Sequence, residues 1–266
     1  MKSSTILRML AIAAAFYIAI CCYLYLQQEK IIFFPQKLSP DYKFRFPGHF
    51  TEKTIRTRDG NTLNGLLFTA DSSKGLVFYL HGNAGSLDSW GEVASAYTAL
   101  HYDVFILDYP GYGKSGGTIK NQQQLYDNVQ DAYTNLLSSY TDSNIVILGY
   151  SIGTGMAAML AAQHHPKMLI LQAPYFNLPD MMRHTFPFLP TFLLKYKFRT
   201  NEFLPRVSSP VVLFHGDADE VIYYGSSLKL KELCKPGDRL ITLKGQGHNG
   251  MTENPDYINA LGKLLR

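Results

Sequence analysis

The sequence predicts an α/β protein with an eight-stranded, mainly parallel sheet, flanking helices and an N-terminal membrane-spanning segment. Three observations carry this. Short continuous apolar runs alternate with longer helical stretches, the first two strand-like runs alternate apolar and polar residues around an Asp-Gly turn, and an uncharged 18-residue run precedes them all. With 266 residues, 46% hydrophobic and 17% charged, the chain has globular composition and length enough for a full core without staples. Of the net charge of +4, +2 lies in the first 30 residues (Lys2, Arg8 and Lys30 against Glu29). The near-neutral remainder leaves no nucleic-acid footprint. Three cysteines, with Cys21 and Cys22 adjacent and no C-x-x-C or Cys/His spacing, give neither a disulfide framework nor a zinc site.

Residues 9–26 carry no charge or strong polar group and are followed by Gln27, Gln28, Glu29 and Lys30. As a helix they extend about 27 Å, and residues 6–26 cross the ~30 Å hydrocarbon layer if Arg8 snorkels. A cleavable signal would have a shorter apolar core and a small-x-small exit, whereas this run leaves through Tyr23-Leu24-Tyr25-Leu26. Lipid attachment at Cys21 or Cys22 lacks the small residue expected before it, and a buried core helix is the remaining alternative. The expected division is therefore an anchor over 1–30 and a globular domain over 31–266. Basic residues flank the run on both sides, Lys2 and Arg8 against Lys30, Lys37, Lys43 and Arg45, so charge gives no orientation.

Beyond the anchor, residues 51–58 and 62–69 read as a hairpin around Asp59-Gly60. The runs 76–80, 104–107, 145–148, 168–171, 211–214 and 240–243 read as strands buried on both faces. Helices are expected near 87–100, 121–137, 154–163, 226–233 and 254–264, joined to the strands by right-handed crossovers. Residues 174–210, rich in Pro, Phe and basic residues, fit a small cap over the sheet edge better than another crossover.

The pattern G-x-S-x-G occurs twice, around Ser151 and around Ser115. A nucleophile elbow needs a strand, a sharp turn with small flanking residues, and a helix starting at once. Ser151 has all three, with Gly149 and Gly153 flanking it and Gly155, Ala157, Ala158, Ala161 and Ala162 making a slim helix. Ser115 runs into Gly116-Gly117-Thr118 with no helix. The same cluster, Gly111-Tyr112-Gly113-Lys114-Ser115-Gly116, mimics nucleotide-binding loops, but Asp108 stands where a phosphate loop needs Gly and no helix opens on the last glycine.

A serine hydroxyl needs a base to take its proton and an acid to orient that base. The run 211–214 ends in His215-Gly216-Asp217-Ala218-Asp219-Glu220, and 240–243 ends near Gly247-His248-Asn249. Acid and base thus follow two successive strand ends, at the sheet edge where such sites collect. His248 is the candidate base; of the two acids Asp219 is preferred to Asp217, and Asp108, which precedes the nucleophile, is read as structural. Oxyanion donors are expected from the backbone N–H of Ile152, after the nucleophile, and of Asn83 in His81-Gly82-Asn83-Ala84-Gly85.

With these residues the chain resembles the α/β hydrolases, and more narrowly the single-span, membrane-anchored bud-emergence-type α/β-hydrolase-domain proteins, over nearly its whole length. The resemblance rests on the anchor, Ile32-Phe33-Phe34-Pro35, His81 to Gly85, the loop from Asp108 to Gly116, the elbow at Ser151, the acid four residues after His215, and Gly247-His248-Asn249. It implies the α/β-hydrolase fold, Asp219 rather than Asp217 as the acid, and a short cap at Pro187-Phe188-Leu189-Pro190. Tyr109-Pro110-Gly111 replaces the usual Tyr-Arg-Gly, and Gln172-Ala173-Pro174 stands where Asp-Ser is common; neither touches the triad.

Relatives of this kind include protein depalmitoylases and broad carboxylesterases, with a profile similar to serine aminopeptidases, so the resemblance implies acyl transfer to water. The resulting expectation is a membrane-tethered, monomeric serine hydrolase of esters or thioesters, acting on a small-molecule, lipid or acyl-protein substrate without cofactor or metal. Aromatic and basic residues of the cap, among them Phe186, Phe188, Phe192, Lys195 and Arg199, suit acyl chains near anionic head groups. The rivals are an amide hydrolase, for which Asp180 or Glu202 would hold a peptide amino terminus, and a non-catalytic scaffold.

Overall fold

The computed structural model describes residues 3–266; Met1 and Lys2, the first two residues of the expected anchor and the Lys2 of its charge count, lie outside the described residues. Eight strands form one sheet: β1 His49–Arg56, β2 Thr62–Thr69, β3 Leu76–Leu80, β4 Asp103–Leu107, β5 Ile145–Tyr150, β6 Met168–Gln172, β7 Val211–Gly216 and β8 Arg239–Leu243. Their spatial order is β1-β2-β4-β3-β5-β6-β7-β8. β2 is antiparallel to both β1 and β4, and every other pairing is parallel. This is the expected α/β-hydrolase arrangement. The first strand lies two residues earlier than 51–58, because Thr57 leaves the ladder to close a turn: its N–H donates to the Asn61 carbonyl and its hydroxyl to Asp59.

The central strands are apolar without alternation because both faces are covered. Along β3, Leu76, Phe78 and Leu80 join one core cluster while Val77 and Tyr79 join the other, all at most 1% exposed. Helices α5 (Gln122–Leu136), α6 (Gly153–Gln163) and α9 (Gly225–Lys231) cover the first face; α3 (Leu87–Trp90), α4 (Ala94–Thr98) and α10 (Pro255–Leu264) cover the second. The stretch expected as one helix over 87–100 is broken by a 3₁₀ turn at Gly91–Val93, where Phe46 packs directly on Gly91. Asn121 caps α5 by accepting from the Gln124 N–H, and Asn254 caps α10 ahead of Pro255.

The first helix, α1 (Ser3–Leu26), is the only one among the described residues long and apolar enough to cross a membrane, and within it only Cys21 is buried. A helix so exposed is not a core helix of the globular part. It continues into α2 (Gln28–Ile32), after which Phe34–Pro35 pairs with Ala84–Gly85.

Residues 174–210 depart in one respect from the expectation of a cap in place of a crossover. They do both tasks. The part from Tyr196 to Arg206, including α8 (Thr200–Phe203), returns over α6 with Tyr196 and Phe198 fully buried in the core and completes the connection between parallel β6 and β7. Only the part with α7 (Leu178–Thr185) and the 3₁₀ turn Thr191–Leu193 projects as a cap.

Candidate active site

Ser151 sits between β5 and α6 with φ 53°, the left-handed backbone that a strand-to-helix elbow imposes on its nucleophile. Hydrogen bonds pin that strained residue: its N–H donates to the Gln172 carbonyl at 2.9 Å, and its carbonyl accepts from the Thr154 hydroxyl at 2.7 Å. The flanking glycines follow from close approach. A Cβ on Gly153 would stand 2.1 Å from the Leu80 carbonyl oxygen, and one on Gly149 2.6 Å from the Gly153 carbonyl oxygen. Gly153→Ala is therefore expected to cost about 3 kcal/mol or more, read by equilibrium denaturation, because backbone rather than a mobile side chain must yield.

The loops after β7 and β8 bring the candidate acid and base, Asp219 and His248, to Ser151. His248 Nε2 lies 3.1 Å from Ser151 Oγ, and His248 Nδ1 lies 2.8 Å from Asp219 Oδ2. Because an ionised carboxylate only accepts, the ring proton is on Nδ1, and Nε2 is free to accept from the serine hydroxyl. Ser151 is 7% exposed and His248 7%, so the pair is shielded but reachable.

Asp219 is over-determined. Its Oδ1 accepts from the N–H groups of Val221 and Ile222 at 2.9 and 2.8 Å, and its Oδ2 is shared by His248 and His215 Nε2, the latter at 3.2 Å. Burial would raise the carboxyl, but the hydrogen bonds from His215, His248 and the Ile222 N–H outweigh it and hold it well below the usual carboxylate range. A carboxylate depressed in this way stabilises the fold above its unfolded value, about 4, and that stabilisation is lost as pH falls through the lower folded value. Asp219 is accordingly anionic throughout the neutral and mildly acid range.

His215 precedes both acids in the chain and so stands outside the acid-then-base order that points to His248. The structure gives it a place: fully buried, it accepts from the Ser227 hydroxyl on Nδ1 at 2.6 Å and points Nε2–H between the Ile222 carbonyl and Asp219. A His four residues before the acid at a strand end was the available signal. Asp217 does not reach the site; it accepts from the Gly245 N–H and ties β7's loop to β8's.

The N–H groups of Asn83 and Ile152 donate to no other group among the described residues. The Asn83 loop is held from several sides. Its carbonyl accepts from the Tyr112 hydroxyl and the Phe34 N–H, Tyr109 donates to the His81 carbonyl, and Trp90 donates to the Ala84 carbonyl. Tyr109 and Tyr112 belong to the glycine-rich loop after β4, so that loop supports the site rather than binding a nucleotide. In it Ser115 is 1% exposed, donating to the Asp108 carbonyl and accepting from the Asn64 N–H, both at 2.8 Å. Asp108 is raised by burial and accepts from the Leu87 N–H, which anchors the start of α3. Gln172, one of the two departures noted above, is buried among Tyr79 and Tyr97 and lines a cleft of about 520 Å³ beside Tyr150 and Asn249.

A serine at an elbow, a correctly tautomeric imidazole, an ionised acid and two free N–H donors can together carry out acyl transfer through a covalent intermediate. Comparison with known proteins agrees in kind. A family model described as the α/β-hydrolase fold matches residues 75–203. The α/β-hydrolase domain-containing protein 17C of Xenopus tropicalis is 31% identical over 218 residues, covering 79% of this chain and 68% of that one. Human protein 17B of the same series is 30% identical over 217 residues, covering 79% and 73%. Among solved structures, an esterase of Pyrococcus furiosus superposes with a TM-score of 0.69 at 18% identity, over 88% of this chain and 97% of that one. The ferulic-acid-bound Est1E of Butyrivibrio proteoclasticus gives 0.64 at 22% identity, over 80% and 96%. The chain thus belongs to the α/β-hydrolase family and is a hydrolase acting on acyl bonds.

Proposed function

We propose that this protein is a membrane-anchored serine hydrolase that cleaves carboxyl ester or thioester bonds. The observation that carries the reading is the connected line from Ser151 Oγ through His248 to Asp219, at 3.1 and 2.8 Å, starting from a serine with φ 53°. His248 takes the hydroxyl proton as Ser151 attacks the acyl carbon, Asp219 holds the ring and offsets its charge, and the N–H groups of Asn83 and Ile152 receive the oxyanion. His248 then returns the proton to the leaving alcohol or thiol, and water repeats the sequence on the acyl-enzyme. No cofactor or metal enters these steps.

Less supports the amide-hydrolase alternative, since both acids named for a peptide amino terminus have cationic partners: Asp180 accepts from Lys229 at 2.8 Å and from Tyr223, and Glu202 pairs with Arg199 at 2.6 Å. A panel of nitrophenyl esters, thioesters and aminoacyl amides tests this. Turnover of esters and thioesters well above that of amides is expected, and the reverse ranking would reject the reading.

The anchor over 1–30 is supported by α1, 24 residues long, mostly apolar and with only Cys21 buried. Residues 31–266 make up the hydrolase domain, with the cap within 174–210, and the enzyme is read as a single-pass monomer whose substrates are small acyl esters, lipids or acylated proteins. Retention in the membrane fraction after alkaline carbonate washing is the expected result. Release into the supernatant would mean that α1 does not span.

A further inference from the structure

Between the anchor and the cap runs a groove of about 280 Å³. Leu24 of the anchor, with Ile31 and Ile32 directly after it, forms the wall on the anchor side, and Leu178, Met182 and Leu194 are among the residues of the cap wall. Gln28, 5% exposed, ties the walls together: its Nε2 donates to the Leu193 carbonyl at 2.9 Å, and its Oε1 accepts from the Lys195 N–H at 2.7 Å. Lys195 also pairs with Glu29 at 3.2 Å. With the Gln28 amide spent on these bonds, the lining presents almost nothing but hydrocarbon.

Two contacts place the groove in the molecule. The carbonyl of Ile32, one of its lining residues, accepts from the Asn83 side chain at 2.9 Å, which sets that wall beside the candidate oxyanion donor. Toward the cap tip, Tyr17 in the middle of α1 donates to the Phe188 carbonyl at 2.7 Å. Tyr17 lies nine residues before Leu26, about 14 Å along the helix. The cap tip therefore lies beside the apolar run and not beyond its end, and it exposes Phe186, Phe188 and Phe192 by 48, 68 and 79%. Where α1 is in hydrocarbon, so is the mouth of the groove.

We propose that this groove is the acyl-chain subsite: the hydrocarbon tail of a bilayer-resident ester or thioester lies between anchor and cap, with its carbonyl at Asn83, Ile152 and Ser151. The proposal rests on the acyl-hydrolase reading above and assigns the membrane anchor a second task, as one wall of the substrate site. Each methylene that enters such a groove contributes about four-fold to kcat/KM. The lining selects for chain length and is indifferent to the head group, since it offers no free polar partner.

The test uses the full-length protein in phosphatidylcholine nanodiscs, with nitrophenyl acetate and nitrophenyl dodecanoate as probes. Met182→Trp fills the groove from the cap side and Ile31→Trp from the anchor side; fluorophosphonate labelling at the wild-type rate certifies that each variant is folded. Wild type should prefer the dodecanoate, and each variant should lower kcat/KM for the dodecanoate at least ten-fold more than for the acetate, mainly through KM. An unchanged dodecanoate-to-acetate ratio in both variants, or no long-chain preference in wild type, overturns the groove assignment. Hydrolysis of both esters persisting in Ser151→Ala would instead overturn the catalytic reading on which it rests.

Discussion

Ser151→Ala is expected to lower kcat for ester hydrolysis on the order of 10⁶-fold and to abolish fluorophosphonate labelling. Without Oγ no acyl-enzyme forms, and His248 has only water to activate, at a backbone position shaped for a side-chain nucleophile. Ser115→Ala provides the contrast, since both serines carry the same five-residue pattern. Its hydroxyl joins the Asp108 carbonyl to the Asn64 N–H in a buried loop, so its loss strands a buried donor at about 1–3 kcal/mol and leaves labelling in place. Labelling that survives Ser151→Ala and disappears in Ser115→Ala would reverse the assignment.

Asp219→Asn should reduce kcat about 10⁴-fold while leaving the protein folded. Oδ2 now accepts from both His215 and His248. An amide nitrogen at that position donates instead, meets the His215 N–H head-on, and drives the His248 proton from Nδ1 to Nε2, where it can no longer accept from Ser151. Turned the other way, the amide keeps the histidines but presents a donor to the Val221 and Ile222 N–H groups. Neither orientation satisfies the site. Because the Asp219 carboxyl is held well below the ordinary range, its own titration adds no pH dependence to the deficit between pH 5 and 8. A kcat within ten-fold of wild type across that range would exclude Asp219 as the orienting acid. Asp217→Asn should leave turnover nearly unchanged, since Asp217 serves the loop at Gly245.

Features that depend on local order were legible in the chain. The buried strands read as continuous apolar runs because a sheet covered on both faces tolerates no polar side. Ser151 stood apart from Ser115 because strand, turn and helix must be contiguous at an elbow. Boundaries slipped where a side chain competes with the ladder, as Thr57 does, or where a distant ring packs on a glycine, as Phe46 does on Gly91. The segment 174–210 was half read: its Pro and Phe spacing marks the projecting part, but only packing shows that Tyr196 and Phe198 return to the core.

By itself the sequence determined the α/β class, the order of its strands along the chain, the apolar N-terminal run and the residue types at Ser151, Asp219 and His248. Each is set by composition, period or spacing within a few residues. The tertiary structure alone decided that His215 shares an Asp219 oxygen with His248, that Tyr109 and Tyr112 brace the Asn83 loop, and that Gln28 fastens the N-terminal helices to the cap across more than 160 residues of chain. Such contacts are satisfied hydrogen bonds between buried groups far apart in sequence. Which donor finds which acceptor there is fixed by how the sheet and its loops pack, and no local pattern of residues records it.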